Sequence, residues 1–181
     1  RPQVAQQCAV AGAVQFADAH LLLLPVRSLW GTFAWVTSPY LLRRFLRDLR
    51  ETGIEVASPA SPPVVGACLL PSGSALTKEI PPRVILEDLD FSVGEDRALD
   101  ELARKLDGWL GLGASPQVAR RLCLVHDDVM SSLMDTATEV RARIRLKEET
   151  KTVDGGALWY EEALPTESVL FGLTAATGVP A

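Results

Sequence analysis

The stretch TEVRARIRLKEETKTVDGGALWYEEALP, Thr138 to Pro165, decides how the rest of the chain is read. From Glu139 to Lys147 polar and apolar residues alternate without a break. Glu139, Arg141, Arg143, Arg145 and Lys147 fall on one side of an extended chain, and Val140, Ala142, Ile144 and Leu146 on the other. That period predicts a half-buried strand with a basic face. Same-side residues of a strand repeat about every 6.7 Å, so the cations form a row spaced like the charges of a nucleic-acid backbone. The polar run Glu148 to Asp154, the pair Gly155-Gly156 and the apolar Ala157 to Tyr160 then read as loop, turn and returning strand. Two readings of this hairpin stay open: an RNA- or DNA-facing element, or a solvated hairpin whose arginines balance Glu148, Glu149, Glu161 and Glu162.

Working outward, the totals bound the possibilities. The chain has 181 residues, 48% of them hydrophobic, enough for one core with a loosely attached excursion. A net charge of -5 argues against coating nucleic acid by bulk charge and leaves local patches as the means of contact. Cys8, Cys68 and Cys123 lie far apart in apolar surroundings and read as reduced, buried thiols of a cytoplasmic protein. No apolar run reaches membrane-spanning length, and no signal peptide is expected at the start. The first residue is Arg1 rather than methionine, which suggests a piece of a longer protein.

Before the hairpin, Arg1 to Ala11 fit a short helix or a loop. Val14 to Leu24 predict a strand buried on both faces, interrupted at Asp18, with Pro25 either ending it or placing its end at an edge. Asp18 and His20, two apart on one face of an extended chain, have the chemistry of a metal or acid-base pair, but an Asp-x-His without further ligands is a weak signal and structural hydrogen bonding is the favoured expectation. In Arg27 to Ser38, Trp30, Phe33, Trp35 and Val36 should pack down, leaving Arg27, Ser28 and Thr32 available near a loop. Ser38-Pro39 is a helix start, predicting a helix over Pro39 to Glu51 that buries Leu42, Phe45 and Leu46, exposes Arg43, Arg44, Arg47 and Arg50, and ends at Gly53.

Between Ile54 and Pro82 lie six of the twelve prolines, at positions 59, 62, 63, 71, 81 and 82. This is loop and edge territory with one short strand expected over Val64 to Leu70, and Thr77, Lys78 and Glu79 in an exposed loop. Arg83 to Phe91 looks like a strand of the same sheet. Glu95 to Leu110 is an amphipathic helix stopped by Gly111 and Gly113, with Trp109 as a core anchor. Arg121 to Val125 reads as a buried strand followed by His126, Asp127 and Asp128. One of these aspartates should cap a helix over Val129 to Asp135. The cluster also has metal-ligand chemistry, and a hydrolase built on it is a third reading. Glu167 to Leu173 fits a short helix or strand, and Ala175 to Ala181 is weakly determined.

No phosphate-binding glycine loop, no HExxH and no CxxC occurs in the sequence. Gly73 and Ser74 lack the spacing of a nucleophile elbow. Strands and helices alternate in the order of an α+β sheet domain, with helices on one face and the other face open, as in many RNA-recognition sheets.

Three stretches carry a family resemblance: FADAHLLLLPVRSLWGTFAWVTSPYLLRRFLRDL (Phe16 to Leu49), VILEDLDF (Val84 to Phe91) and TEVRARIRLKEETKTVDGGALWYEEALPTESVLF (Thr138 to Phe171). Together, and in this order, they closely resemble the repeated backbone subunit of type III-B CRISPR effector complexes, the fourth Cmr subunit, of the RAMP superfamily. The resemblance implies a ferredoxin-like or RRM-like RAMP core with inserted loops, partial within residues 1–181, and a thumb hairpin at about 143–159. It implies copies stacked along a CRISPR RNA beside other Cmr subunits, with the thumb intruding between guide and target RNA. Candidate RNA-binding residues are then Arg27 and Ser28, joined to the basic row Arg141, Arg143, Arg145 and Lys147 and to Lys151. The family cleaves target RNA with a divalent metal, through an aspartate in a loop earlier than any residue of this chain. The catalytic role is therefore not carried to Asp18, Asp127 or Asp128, and neither a catalytic residue nor a metal ligand is expected here. The competing function is an α+β assembly or protein-interaction domain that does not touch RNA.

Overall fold

The structure, a computed structural model, describes residues 12–59, 61–78, 80–112, 115 and 117–176. The expectations for Arg1 to Ala11, Cys8, Glu79, Gly113 and residues 177–181 lie outside the described residues. In chain order the elements are β1 (Val14–Phe16), β2 (His20–Arg27), β3 (Phe33–Thr37), α1 (Pro39–Glu51) and β4 (Ala67–Leu70). There follow β5 (Arg83–Leu86), β6 (Leu89–Glu95), α2 (Arg97–Leu110), α3 (Gln117–Arg121), β7 (Leu122–Val125) and α4 (Asp127–Thr136). The chain closes with β8 (Glu139–Leu146), β9 (Val153–Ala163), β10 (Val169–Phe171) and β11 (Thr174–Ala176).

Seven strands form one mixed sheet in the order β10-β2-β3-β7-β4-β6-β5. Its outer strand curls back towards its start. Leu86 forms an antiparallel bridge with Ser28, the Leu29 amide donates to the Ile85 carbonyl at 3.1 Å, and the Glu87 amide donates to the Arg27 carbonyl at 2.9 Å. The end of β2 thus supplies partners to β5, an edge that would otherwise be open. Rolling gives the sheet an inside, where Leu24, Val26, Val36, Cys68, Cys123 and Val125 pack with Leu76 and with Val129, Met130 and Leu133 of α4. On the outside, Leu42, Phe45 and Leu46 of α1 and Leu99, Leu102 and Leu106 of α2 cover Trp35, Leu122 and Leu124. The expected open face is absent among the described residues: α4 and the loop carrying Leu76 fill the concave side. This explains why all four residues of β7 are buried.

Within β2 the run of four leucines does not alternate simply. Val169 pairs with Leu23 and the next residue, Leu170, with Leu21, so Leu22 is an extra residue in the ladder. This bulge shifts side-chain parity, sending Leu22 and Leu23 to the same core and Leu24 to the other. Asp18 separates β1 from β2 as expected, and of the two expectations for Pro25 the strand end is not found while the edge position is. Pro25 pairs with Trp35 of β3, and the described ladder to β10 covers only His20 to Leu23, so the missing amide falls beyond that partner.

Other expectations need smaller corrections. Arg83 to Phe91 is not one strand but most of a hairpin in the same sheet, Leu86 pairing with Leu89 around a two-residue turn with Glu87 at φ 50°. Trp109 is no core anchor: it is 47% exposed and meets Phe45 edge-on at 6.2 Å. Helix α1 has its predicted bounds. Its first turn is capped from two sides, by the Ser38 hydroxyl accepting from the Leu41 amide at 3.5 Å and by Asp127 Oδ1 accepting from the Tyr40 amide at 2.8 Å.

Candidate nucleic-acid interface

Strands β8 and β9 form a separate two-stranded ribbon in which neither strand pairs with the seven-stranded sheet. The register sets Val140 opposite Glu162, Ala142 opposite Tyr160 and Ile144 opposite Leu158 on one face, with Arg141 opposite Glu161 and Arg143 opposite Trp159 on the other. The basic and apolar faces are therefore arranged as the alternation predicts. The expected half-burial is not found: Val140 is 61% exposed, Ile144 51% and Tyr160 68%. Alternation reports which side chains share a face; it carries no information on whether the same chain covers that face.

The turn also lies elsewhere than expected. The Lys147 amide donates to the Thr152 carbonyl at 2.9 Å and the Lys151 amide to the Lys147 carbonyl at 3.0 Å, so the reversal is made by residues 147–152, with Lys151 at φ 52°. Gly155 and Gly156 sit inside β9, where the ladder jumps from Leu158 to Val153 between Ile144 and Leu146. Gly156 at φ 80° lets the additional residues bow out of the ribbon.

The cations divide into two groups. Arg141 reaches Glu139 Oε2 through Nε at 2.9 Å, and Arg143 Nε reaches Glu161 Oε2 at 2.9 Å. The other oxygen of Glu161 accepts from the indole of Trp159, also at 2.9 Å. The Trp159 bond foremost, and then Arg143, hold the Glu161 carboxyl below its ordinary value, and Arg141 does the same for Glu139. Arg145, Lys147 and Lys151, towards the turn, have no ion pair within 4.0 Å among the described residues. Across Glu139 to Ala163 five cations face six acids, so attraction to a polyanion must come from this local arrangement and not from the net charge of the ribbon.

Arg27 and Ser28 lie on the sheet instead, at the end of β2. Arg27 is exposed but held by Glu87 at 2.7 Å. Ser28, expected to be available, is buried, and its hydroxyl makes no hydrogen bond among the described residues. The strand bridge to Leu86 turns this residue inward.

Two members of the His126-Asp127-Asp128 cluster are committed to capping. His126, not an aspartate, is the N-cap of α4: its Nδ1 accepts from the Asp128 amide at 3.1 Å. Asp127 caps α1 and stands 3.7 Å from Arg43. His20 Nδ1 lies 2.8 Å from Arg44, a structural contact of the kind expected. Among the described residues no three of His, Cys, Asp and Glu gather as a metal site. The donor sets present here do not fit the divalent metal that the family resemblance implies, and no step of a cleavage reaction can be routed through them. Among the described residues no helix is long and apolar enough to cross a membrane.

A rolled mixed sheet backed by helices, carrying a separate two-stranded hairpin, is an α+β fold shared with solved structures of Cmr4 (Cas7). It superposes on a crystal structure of oligomeric Cmr4 from Pyrococcus furiosus with a TM-score of 0.70 and 26% identity, over 94% of this chain and 59% of that one. A type III-B Cmr-beta complex bound to cognate target RNA contains a chain of the same fold, with a TM-score of 0.64, 15% identity, and coverage of 97% and 61%. In sequence, the chain is homologous to the CRISPR system Cmr endoribonuclease Cmr4 of Pyrococcus furiosus, 33% identical over 169 residues. That match spans 92% of this chain and 56% of the relative, so the chain corresponds to little more than half of the relative's length. No family model matches the sequence.

Proposed function

We propose that this chain is the greater part of a backbone subunit of a CRISPR interference complex in the cytoplasm, binding CRISPR RNA and positioning target RNA, with the β8–β9 hairpin as its thumb. The observation that carries this reading is the ribbon itself: paired to no other strand among the described residues, exposed on both faces, and placed in a chain similar to Cmr4. A thumb entering between two RNA strands needs both of its faces accessible, with cations for phosphates and flat apolar groups for bases. Arg145, Lys147 and Lys151 serve the phosphates first, since Arg141 and Arg143 must also exchange a carboxylate for a phosphate. Arg27 adds a contact from the sheet after release from Glu87. The partners are guide and target RNA, further copies of the subunit and other Cmr subunits. Metal-dependent cleavage of target RNA belongs to the complete protein, with its ligands outside the residues described here.

The test uses the full-length protein assembled with its RNA. Replacing Arg145, Lys147 and Lys151 together by Gln is expected to weaken RNA binding and to flatten its dependence on log salt by about 2, near 0.7 per neutralised single-strand phosphate contact. Unchanged affinity and salt slope in that variant overturn the assignment and favour a protein-docking role for the ribbon, to which its uncovered apolar face is suited.

A further inference from the structure

Four tryptophans are distributed along the chain, and one of them is held unlike the others. Trp35 is 3% exposed, its indole donating to the Glu167 carbonyl at 2.9 Å. Trp30 has the Lys78 ammonium 4.9 Å from its ring centre, and Trp109 leans on Phe45. Trp159 sits on the polar face of the ribbon, 41% exposed, and stacks on no aromatic ring among the described residues.

Its ring is nevertheless oriented. The indole N–H donates to one oxygen of Glu161, whose other oxygen takes Arg143, the residue directly opposite Trp159 in the ladder. Tryptophan, glutamate and arginine thus close a circuit across two strands, which fixes the indole edge and leaves the ring with solvent access. Fixing a side chain before a partner arrives lowers the ordering cost when it binds. A flat π face with a guanidinium at its margin matches a nucleotide: the base can lie on the indole while its phosphate is within the arginine's field.

We infer that Trp159 is a stacking platform for an unpaired nucleobase of RNA, and that Glu161 is the positioning residue that orients it. The inference rests on the reading of the ribbon as RNA-facing and adds to it a contact to the base. Such a contact is insensitive to salt and tolerant of sequence, whereas the lysine and arginine contacts to phosphate are neither base-dependent nor salt-insensitive.

The experiment compares two probes on the full-length protein: an oligoadenylate, and a ribose-phosphate oligomer of equal length without bases. Trp159→Ala is expected to weaken oligoadenylate binding about 5- to 100-fold, the range for loss of one base–aromatic stack, with an unchanged salt slope and no change on the abasic probe. Trp159→Phe should recover most of the loss. Glu161→Ala should lose affinity for oligoadenylate relative to the abasic probe, on which the Arg143 it releases can only strengthen binding, and in the Trp159→Ala background it should cause no further base-dependent loss, because the glutamate acts through the ring. Equal losses on both probes, or none on oligoadenylate, overturn the inference. If the Gln triple variant at 145, 147 and 151 weakens both probes while Trp159→Ala changes neither, the platform falls and the RNA-facing ribbon stands. If neither variant changes binding, both readings fall. Melting temperatures equal to the parent's exclude misfolding as the cause, since Trp159 lies outside both hydrophobic cores.

Discussion

In β7, Leu122, Cys123, Leu124 and Val125 are all buried, with β3 on one side and β4 on the other. In β8, every residue after Glu139 is exposed and β9 is the single partner strand. The two segments are similar in local terms, both extended and both rich in aliphatic side chains. Their difference is in what surrounds them. The sheet rolls until the end of β2 reaches the outer strand β5 and helices close its outer face, whereas among the described residues the ribbon has no such cover. A two-stranded hairpin is marginal by itself in water, so its local order draws on side-chain pairs across it, such as Arg143 with Glu161.

The sharpest test of this contrast is paired truncation. Leu102→Ala in α2 removes a fully buried side chain between α2 and the sheet and should cost about 2–5 kcal/mol in denaturant unfolding. Ile144→Ala in the ribbon removes an aliphatic chain that is half in water and should change global stability by about 0.5 kcal/mol or less. Comparable losses at the two sites would show that the ribbon is packed on the body in solution, breaking the comparison.

How far the sequence revealed this difference varies by element. Helix α1 was readable to the residue because its signals are local: Ser38-Pro39 at one end, Gly53 beyond the other, and a 3.6-residue apolar period between them. The faces of the ribbon were readable for the same reason. The Leu22 bulge, the rolling of the sheet and the covering of its concave face by α4 depend on partners distant in the chain, and no local pattern encodes them. The Gly155-Gly156 pair is ambiguous in sequence because a glycine pair suits a bulge as well as a turn. Of the candidate site, the basic row could be found by alternation, but the neutralisation of Arg141 and Arg143 by particular glutamates required the strand register. Trp159 carried no signal of its own, since an exposed and a buried tryptophan look alike in a sequence.

An intermediate effect is expected where the sheet meets its helices. Asp127 stands at the start of α4 yet accepts from the Tyr40 amide of α1, so one carboxylate ties together the two helices that follow the parallel strands β3 and β7. Asp127→Ala should cost about 0.5–2 kcal/mol, the range for loss of an N-cap, and Asp127→Asn should recover part of it. Thermal unfolding by circular dichroism measures both. A null result would leave the capping to Ser38, whose contact with the Leu41 amide is the longer of the two at 3.5 Å.

The smallest effect, and the one confined to the ribbon, is a dependence on acid. The carboxyls of Glu139 and Glu161 titrate below their ordinary value of 4.5 because each accepts hydrogen bonds: Glu139 from Arg141, Glu161 from Trp159 and Arg143. A group whose folded value is depressed contributes stability above its unfolded value and loses that contribution as pH falls through the folded value. Both carboxylates are on the surface, where water and salt screen them, so the loss should barely alter global unfolding. It should appear locally. As pH is lowered from neutral through 4.5 and below, the Trp159 indole proton should lose its hydrogen-bonded chemical shift and amides of β9 should exchange faster, while amides of β7 keep their protection. In Glu161→Gln the Trp159 response should vanish, since no carboxylate remains to protonate. If β7 and β9 lose protection together, the ribbon does not open separately from the sheet, and the independence assigned to it fails.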